Sequence, residues 1–240
     1  MPDFDRHWPT TVQGPHLILR PMRLRDRTEW SALRRANATW LAPWDATVPD
    51  GDGYPANFAA MVSSQNRAAR NGQCLPWAIT LPGPYAKRPP MIGQLTVSSI
   101  QWGAARTGSI GYWVDAGHAG RGIVPEAVAM ATDHCFNQLG LHRIEINIRP
   151  ENGPSLRVVQ KLGFRDEGLR KNYLHIDGAW ADHRTFALTA EEIPGGLLNR
   201  WNERRHDAGP DSVPGGGHRG EPIGNPEGSQ QGTGDGYQLG

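Results

Sequence analysis

The sequence predicts a single α+β domain of about 200 residues, and three observations carry that prediction. Strand-like apolar runs crowd the middle of the chain, helical spacing precedes and follows them, and a Gly-rich turn joins one strand to one helix. The 240 residues hold 25 basic and 24 acidic side chains, a balance with no long-range pull on nucleic acid or membrane. Cys74 and Cys135 are far apart and form no CxxC or Cys/His cluster. That suits a reducing compartment and argues against both a disulfide scaffold and a zinc site. The opening MPDFDRHWPTTVQGPH lacks an apolar signal core, and no stretch approaches the ~20 apolar residues of a membrane span. A cytoplasmic protein is expected.

The elements follow in order. HLILRPM (16–22) is a first strand closed by proline. Asp26 and Glu29 stand in capping-box spacing ahead of Trp30 and Leu33, the apolar stripe of a first helix. A second helix begins near Pro55, carries Phe58, Met61 and Val62 on one face, and stops at Gly72. LPWAITL (75–81), the turn-rich PGPYAKRPP, MIGQLTVSSI (91–100) and TGSIGYWVD (107–115) read as an antiparallel meander. A helix from Pro125 to Leu139 then presents Val124, Val128, Ala131, Cys135 and Leu139 on one face, and Gly140 ends it. HRIEINIRP (142–150) alternates as a strand, SLRVVQKLG (155–163) is a short helix, and FRDEGLRKNYL and DHRTFALT are the last strands. Residues 1–14 are read as an N-terminal extension, 15–200 as the domain and 201–240 as a Gly/Pro-rich disordered tail. In that tail, scattered apolar residues cannot offset ordering costs of ~1–2 kcal/mol per residue.

The turn between strand and helix reads HAGRGIVPEAV (118–128). A strand feeding glycines at the mouth of a helix turns several main-chain N–H groups one way, and the helix dipole adds to them, which makes a receptor for phosphate oxygens. Gly120 and Gly122 allow close approach, and Arg121 adds a fork suited to phosphate. An ordinary strand-to-helix connection with proline at its start explains the same residues. Neither a P-loop nor the dinucleotide fingerprint fits, because GK[ST] is missing and Pro125 stands where a third glycine belongs.

Several segments in the right order resemble the GNAT superfamily of acetyl-CoA-dependent N-acetyltransferases, and within it the RimJ/RimL group that acetylates ribosomal-protein N-termini. They are LILRPMRLRD, IGYWVD, HAGRGI, LHRIEINIRPEN, SLRVVQKLGFRDEG and DGAWADH, which together cover roughly residues 15–195. The superfamily's diphosphate motif starts with Gln or Arg and has glycine fourth and glycine or alanine sixth. Here Ala119, Gly122 and Val124 hold those places, so only the central glycine agrees, and Pro125 removes one N–H.

The resemblance implies a mixed, mostly antiparallel sheet of about six or seven strands, with helices on both faces and a splay between strands 4 and 5. It implies acetyl-CoA as co-substrate and no metal. The main chain of Tyr112, Trp113 and Val114 would face the pantetheine arm, with one N–H on the thioester carbonyl, and Gly120, Arg121, Gly122, Ile123 and Val124 would hold the diphosphate. Asn152 and Ser155 of PENGPS would anchor the arm and place a hydroxyl near sulfur, although the same two residues could simply cap a helix and shape a turn. Arg157 could reach a phosphate. Tyr173 is the alternative acid and Glu145 a candidate base, while His134, His142 and His183 read as packing or backbone-satisfying residues. On the acceptor side, Trp40, Trp44 and Tyr54 could wall a channel, and Asp45, Asp50 and Asp52 could attract an ammonium. The expected partner is an amine, most specifically a protein N-terminus, with no direct nucleic-acid or membrane contact and a monomeric or homodimeric chain. A small-molecule amine acetyltransferase and a non-catalytic CoA-binding module remain as alternatives.

Overall fold

The computed structural model describes residues 8–49, 57–83 and 89–207. Asp50, Asp52, Tyr54, part of the turn PGPYAKRPP and the tail from 208 lie outside them. Eight strands make one sheet: β1 (Val12–Gln13), β2 (Ile18–Pro21), β3 (Leu75–Thr80), β4 (Met91–Gln101), β5 (Thr107–Val114), β6 (Arg143–Ile148), β7 (Arg165–Ile176) and β8 (Ala179–Thr189). Their order is β1-β2-β3-β4-β5-β6-β8-β7, antiparallel throughout except for the parallel pair β5–β6. The strand beyond the expected six or seven is β1. It falls in the segment read as an extension, which also contributes the buried Trp8 to the core.

Six helices flank the sheet: α1 (Arg27–Ala36), α2 (Ala38–Leu41), α3 (Phe58–Arg70), α4 (Ile123–Asn137), α5 (Gly153–Leu162) and α6 (Leu197–Asp207). Strand β3 shows why two layers form. Its Trp77 and Ile79 join the core built with α4, α5 and α6, whereas Ala78 between them joins Phe58, Val62, Trp30 and Leu33 of α3 and α1. Helix α4 is buried on nearly every side, from Pro125 to Thr132 and again at Cys135, because α6 covers the face the sheet leaves open.

Two local expectations change. The Asp26 carboxylate does not cap α1. It accepts the Arg20 guanidinium at 2.7 Å and the Arg23 N–H at 2.8 Å, while Glu29 accepts the Met91 N–H at 2.8 Å. A buried arginine outbids the local cap. The tail expected from 201 begins inside α6, whose Leu197 and Trp201, one turn apart, sink against α4. The first N–H groups of α6 are capped by Asp133 of α4, at 2.7 and 2.9 Å.

The register that matters for the site is that of β5 on β6. Only Thr107–Ser109 pair with Arg143–Glu145. Beyond that point Ile110–Val114 stay with β4, and Ile146–Ile148 stay with β8. The two strands part, and the sheet opens into a fork. These are the fourth and fifth strands of the sequence reading, shifted by one because β1 precedes them.

Candidate active site

A cavity of ≈ 480 Å³ occupies the fork. One wall is Gly111–Val114 of β5. The turn from His118 to Val124, Arg121 excepted, and the start of α4 form the next; Asn152 joins Ser155, Arg157 and Lys161 of α5, and Trp40, Leu41 and Trp44–Ala46 close the far side.

The α4 mouth presents main chain to the cavity. Gly122 is its N-cap at φ +80°, with no side chain capping the first turn, and Gly120 sits at φ +78° with no atom within 4 Å of the place a Cβ would take. Side chains disfavour such φ values, and the open space beside Gly120 leaves the main chain accessible. Arg121 is exposed and does not line the cavity, so the main chain rather than that guanidinium faces inward. Arg157 and Lys161, one helical turn apart on α5, add positive charge.

Asn152 caps α5, its Oδ1 accepting the Ser155 N–H at 3.1 Å. The cap of α5 is therefore Asn152, and the Ser155 hydroxyl is spared that duty. Across from it stands Tyr112, whose phenol burial pushes up to about 12 against a smaller opposing pull from Ser155. The Tyr112 hydroxyl has no hydrogen-bond partner at ordinary contact geometry among the described residues.

The far wall is held by side chains. Trp40 donates its indole N–H to the Val114 carbonyl at 3.2 Å, Arg149 lies over the Trp44 ring at 5.7 Å and donates to the Pro43 carbonyl at 2.9 Å. Asp45 is ion-paired with Arg34, which also lies 5.4 Å from the Trp113 ring centre. Its charge is therefore shared, not wholly available to an incoming ammonium. Glu145 and Tyr173 are not brought to the cavity. Glu145 pairs with Arg143 at 2.9 Å and Arg170 at 3.5 Å, and Tyr173 packs against His183 under the Arg170 guanidinium.

The structure adds residues that the sequence reading passed over. Gln94, Thr96 and Ser98 line the cavity from β4, and their signal was the polar–apolar alternation of MIGQLTVSSI. His118 lines it as well, its Nδ1 2.7 Å from Asp115. The spacing of Asp115 and His118 in DAGH was visible, but not the third partner, Asn37, which donates to Asp115 at 2.7 Å from the end of α1.

Residues 16–165 match the family model described as an acetyltransferase (GNAT) domain. Mycobacterium smegmatis RimJ, solved in complex with CoA-disulfide, is 41% identical and superposes with a TM-score of 0.74 over 82% of this chain and 96% of that one. The [ribosomal protein uS5]-alanine N-acetyltransferase of Escherichia coli is 28% identical over 176 residues, 73% of this chain and 89% of the relative. The probable N-acetyltransferase YjcK of Bacillus subtilis is 42% identical over 98 residues. This match spans about half of YjcK, 54% of its length, and 41% of this chain. With a family match over more than half of its length, on a sheet forked at the one parallel pair, this chain belongs to the GNAT acetyltransferase family.

Proposed function

We propose that this protein moves an acetyl group from acetyl-CoA to the N-terminal α-amine of a protein, a ribosomal protein being the leading class. The carrying observation is the fork, where β5 loses its neighbour after Ser109 and leaves main chain unpaired beside a cavity that ends at the uncapped mouth of α4. Such an edge can receive a pantetheine arm as an added strand, while the helix mouth takes the diphosphate. The relatives support this reading: RimJ was solved with CoA-disulfide, and the Escherichia coli relative is named for the alanine N-terminus of uS5.

In this reading the amine attacks the thioester carbon directly. An N–H of the Tyr112–Val114 segment faces the developing oxyanion, a contribution whose loss costs ~2.7–4 kcal/mol. The Ser155 hydroxyl, held at the start of α5 by the Asn152 cap, donates to the departing sulfur, with the Tyr112 phenol behind it. Gly120, Gly122, Ile123 and Val124 offer the phosphates main-chain donors, and Arg157 and Lys161 add charge. Trp40 and Trp44 shape the amine's approach. The two cysteines are unpaired and buried, in keeping with a cytoplasmic setting.

The test is an acceptor panel with acetyl-CoA, containing peptides with free and blocked N-termini and free polyamines, read by thiol release and product mass. Acetylation confined to free peptide N-termini is the expected result. Turnover of polyamines with no peptide product would replace the acceptor, and thiol release with no amine at all would overturn the reading.

A further inference from the structure

We propose that His118 is the general base of the transfer, oriented by Asp115 and, through Asp115, by Asn37. The inference rests on acetyl transfer to an amine but not on which amine is the acceptor.

The three residues come from three places in the fold. Asp115 follows the last residue of β5 and is fixed there by its N–H on the Ile92 carbonyl at 2.8 Å. Its Oδ2 lies 2.7 Å from His118 Nδ1, and its Oδ1 accepts the Asn37 amide at 2.7 Å. Asn37, 3% exposed, is itself locked: Nδ2 also donates to the Leu33 carbonyl at 2.9 Å, and Oδ1 accepts the Ala116 N–H at 2.8 Å. A carboxylate with both oxygens engaged assigns the Nδ1 proton, so the Nε2 lone pair is the free end of the ring. That nitrogen has no hydrogen-bond partner among the described residues, and His118 is one of the residues that line the cavity, with Trp113 and Ser155. Hydrogen bonds from Asn37 first, and then from His118, hold Asp115 below the usual carboxylate range, as an orienting anion should be.

Elimination points the same way. Of the other ionisable groups that line the cavity, Asp45 is paired with Arg34, Arg157 and Lys161 are cations, and the Tyr112 phenol is pushed up to about 12. With Asp115, they are the charged and titratable groups around His118 in the cavity. Glu145 lies outside the cavity between two arginines.

In the step proposed, the acceptor ammonium first gives one proton to His118 Nε2, directly or through one water, and the free amine nitrogen then attacks the thioester carbon. The C–N bond forms and the C–S bond breaks. The second ammonium proton replaces the one that Ser155 passes to sulfur, so the products are the amide and CoA thiol, and His118 returns its proton to solvent. The base must be neutral to act, so kcat/KM rises with pH through the imidazole titration, which for histidine ordinarily falls between about pH 5 and 8.

The experiment is a pH profile of kcat/KM for wild type, His118→Ala, His118→Gln and Asp115→Asn, using whichever amine of the panel turns over. His118→Ala and His118→Gln should lower kcat about 100-fold or more, with the KM for acetyl-CoA within about twofold and the acidic limb lost. Added imidazole should restore part of the rate to His118→Ala. Asp115→Asn should lower kcat by a smaller factor and leave the KM for acetyl-CoA unchanged, because the ring loses the anion that orients it. Unchanged kcat in both His118 variants overturns the proposal. So does a loss confined to acetyl-CoA affinity with the acidic limb intact, which would make the ring a phosphate ligand. A polyamine in place of a peptide as acceptor revises the acceptor and leaves the His118 test standing, whereas no turnover with any amine defeats both.

Discussion

The two walls of the cavity are made of different material. The side proposed for CoA is main chain on long regular elements, namely β5, the mouth of α4 and the start of α5, with α6 packed behind. The side proposed for the amine is side chains on short ones: the four-residue α2, a single 3-10 turn at Ala42–Trp44, and the segment that follows. Main-chain walls keep their shape when side chains change, so a shared co-substrate can be served by many sequences. Side-chain walls can be altered a residue at a time, which is how acceptor choice can vary without disturbing the fork. An acceptor-side substitution that destabilises the fold as much as one beneath the α4 loop would erase this difference between the walls.

The largest expected effect is at Trp201. It lies on α6, beyond the segment the family model matches, yet its ring is 3.2 Å from where a Cβ on Gly122 would sit. It is 6% exposed. Trp201→Ala should cost ~3–5 kcal/mol of stability by chemical denaturation. It should also shrink the rise in melting temperature that CoA gives, because the loop loses its floor. A variant of normal stability that binds CoA normally would show that α6 merely covers α4.

Next come the two glycines of the loop, which separate two causes. Both have positive φ, so alanine strains either backbone by about 1–2 kcal/mol. Only at Gly122 does the added methyl also meet Trp201, so Gly122→Ala should total about 2–4 kcal/mol, measured by urea titration. Gly120→Ala should lose CoA affinity out of proportion to its smaller stability loss, since its methyl enters the open space at the α4 mouth. Equal effects at both positions would remove the role assigned to Trp201.

How far the sequence discloses each wall follows from the same contrast. Strand β3 announces itself as a short apolar run, β4 and β6 by alternation, and α4 by its glycines and Pro125, because these signals are local. Helix α6 does not, since its N-cap is Asp133, 64 residues away, and nothing near Gly195–Gly196 marks a start. Strand β1 is two residues long and exists only as a partner of β2. Glu145 alternates correctly along β6, but pattern alone does not reveal that Arg143 and Arg170 occupy it. His118 needed Asn37 beside Asp115, a contact between residues 78 positions apart.

On the acceptor side, effects on stability should be small and effects on the amine visible. Arg149→Ala removes the guanidinium over Trp44, and Arg34→Ala frees Asp45 and uncovers Trp113. Each interaction is partly solvated and worth ~0.5–1 kcal/mol. Each variant should therefore melt near wild type, keep its KM for acetyl-CoA, and raise the KM for the amine about 2–5-fold. Arg34→Ala has a second outcome built in, because releasing Asp45 should tighten binding of cationic acceptors relative to neutral-flanked peptides. A melting-temperature loss as large as that of Trp201→Ala would end the contrast between the walls.

The smallest effect lies at the closed end of the fork, where β5 and β6 still pair. Arg143 on β6 reaches Glu145 and Glu167, and Glu167 also accepts Arg165 at 2.8 Å. Hydrogen bonds from Arg143 first and Arg165 second bring the Glu167 carboxyl down to about 2. A carboxylate depressed in the folded state stabilises above its unfolded value of about 4.3 and loses that contribution as pH falls toward its folded value. Glu167→Gln removes the contribution at every pH, so the melting curves of wild type and variant should differ at pH 7 and converge near pH 2. The pairs face solvent, which keeps the difference under ~1 kcal/mol. Because main-chain pairing of Thr107–Ser109 with Arg143–Glu145 already closes the fork, the variant should keep its KM for acetyl-CoA. If that KM rises, ions rather than strand pairing set the opening of the fork.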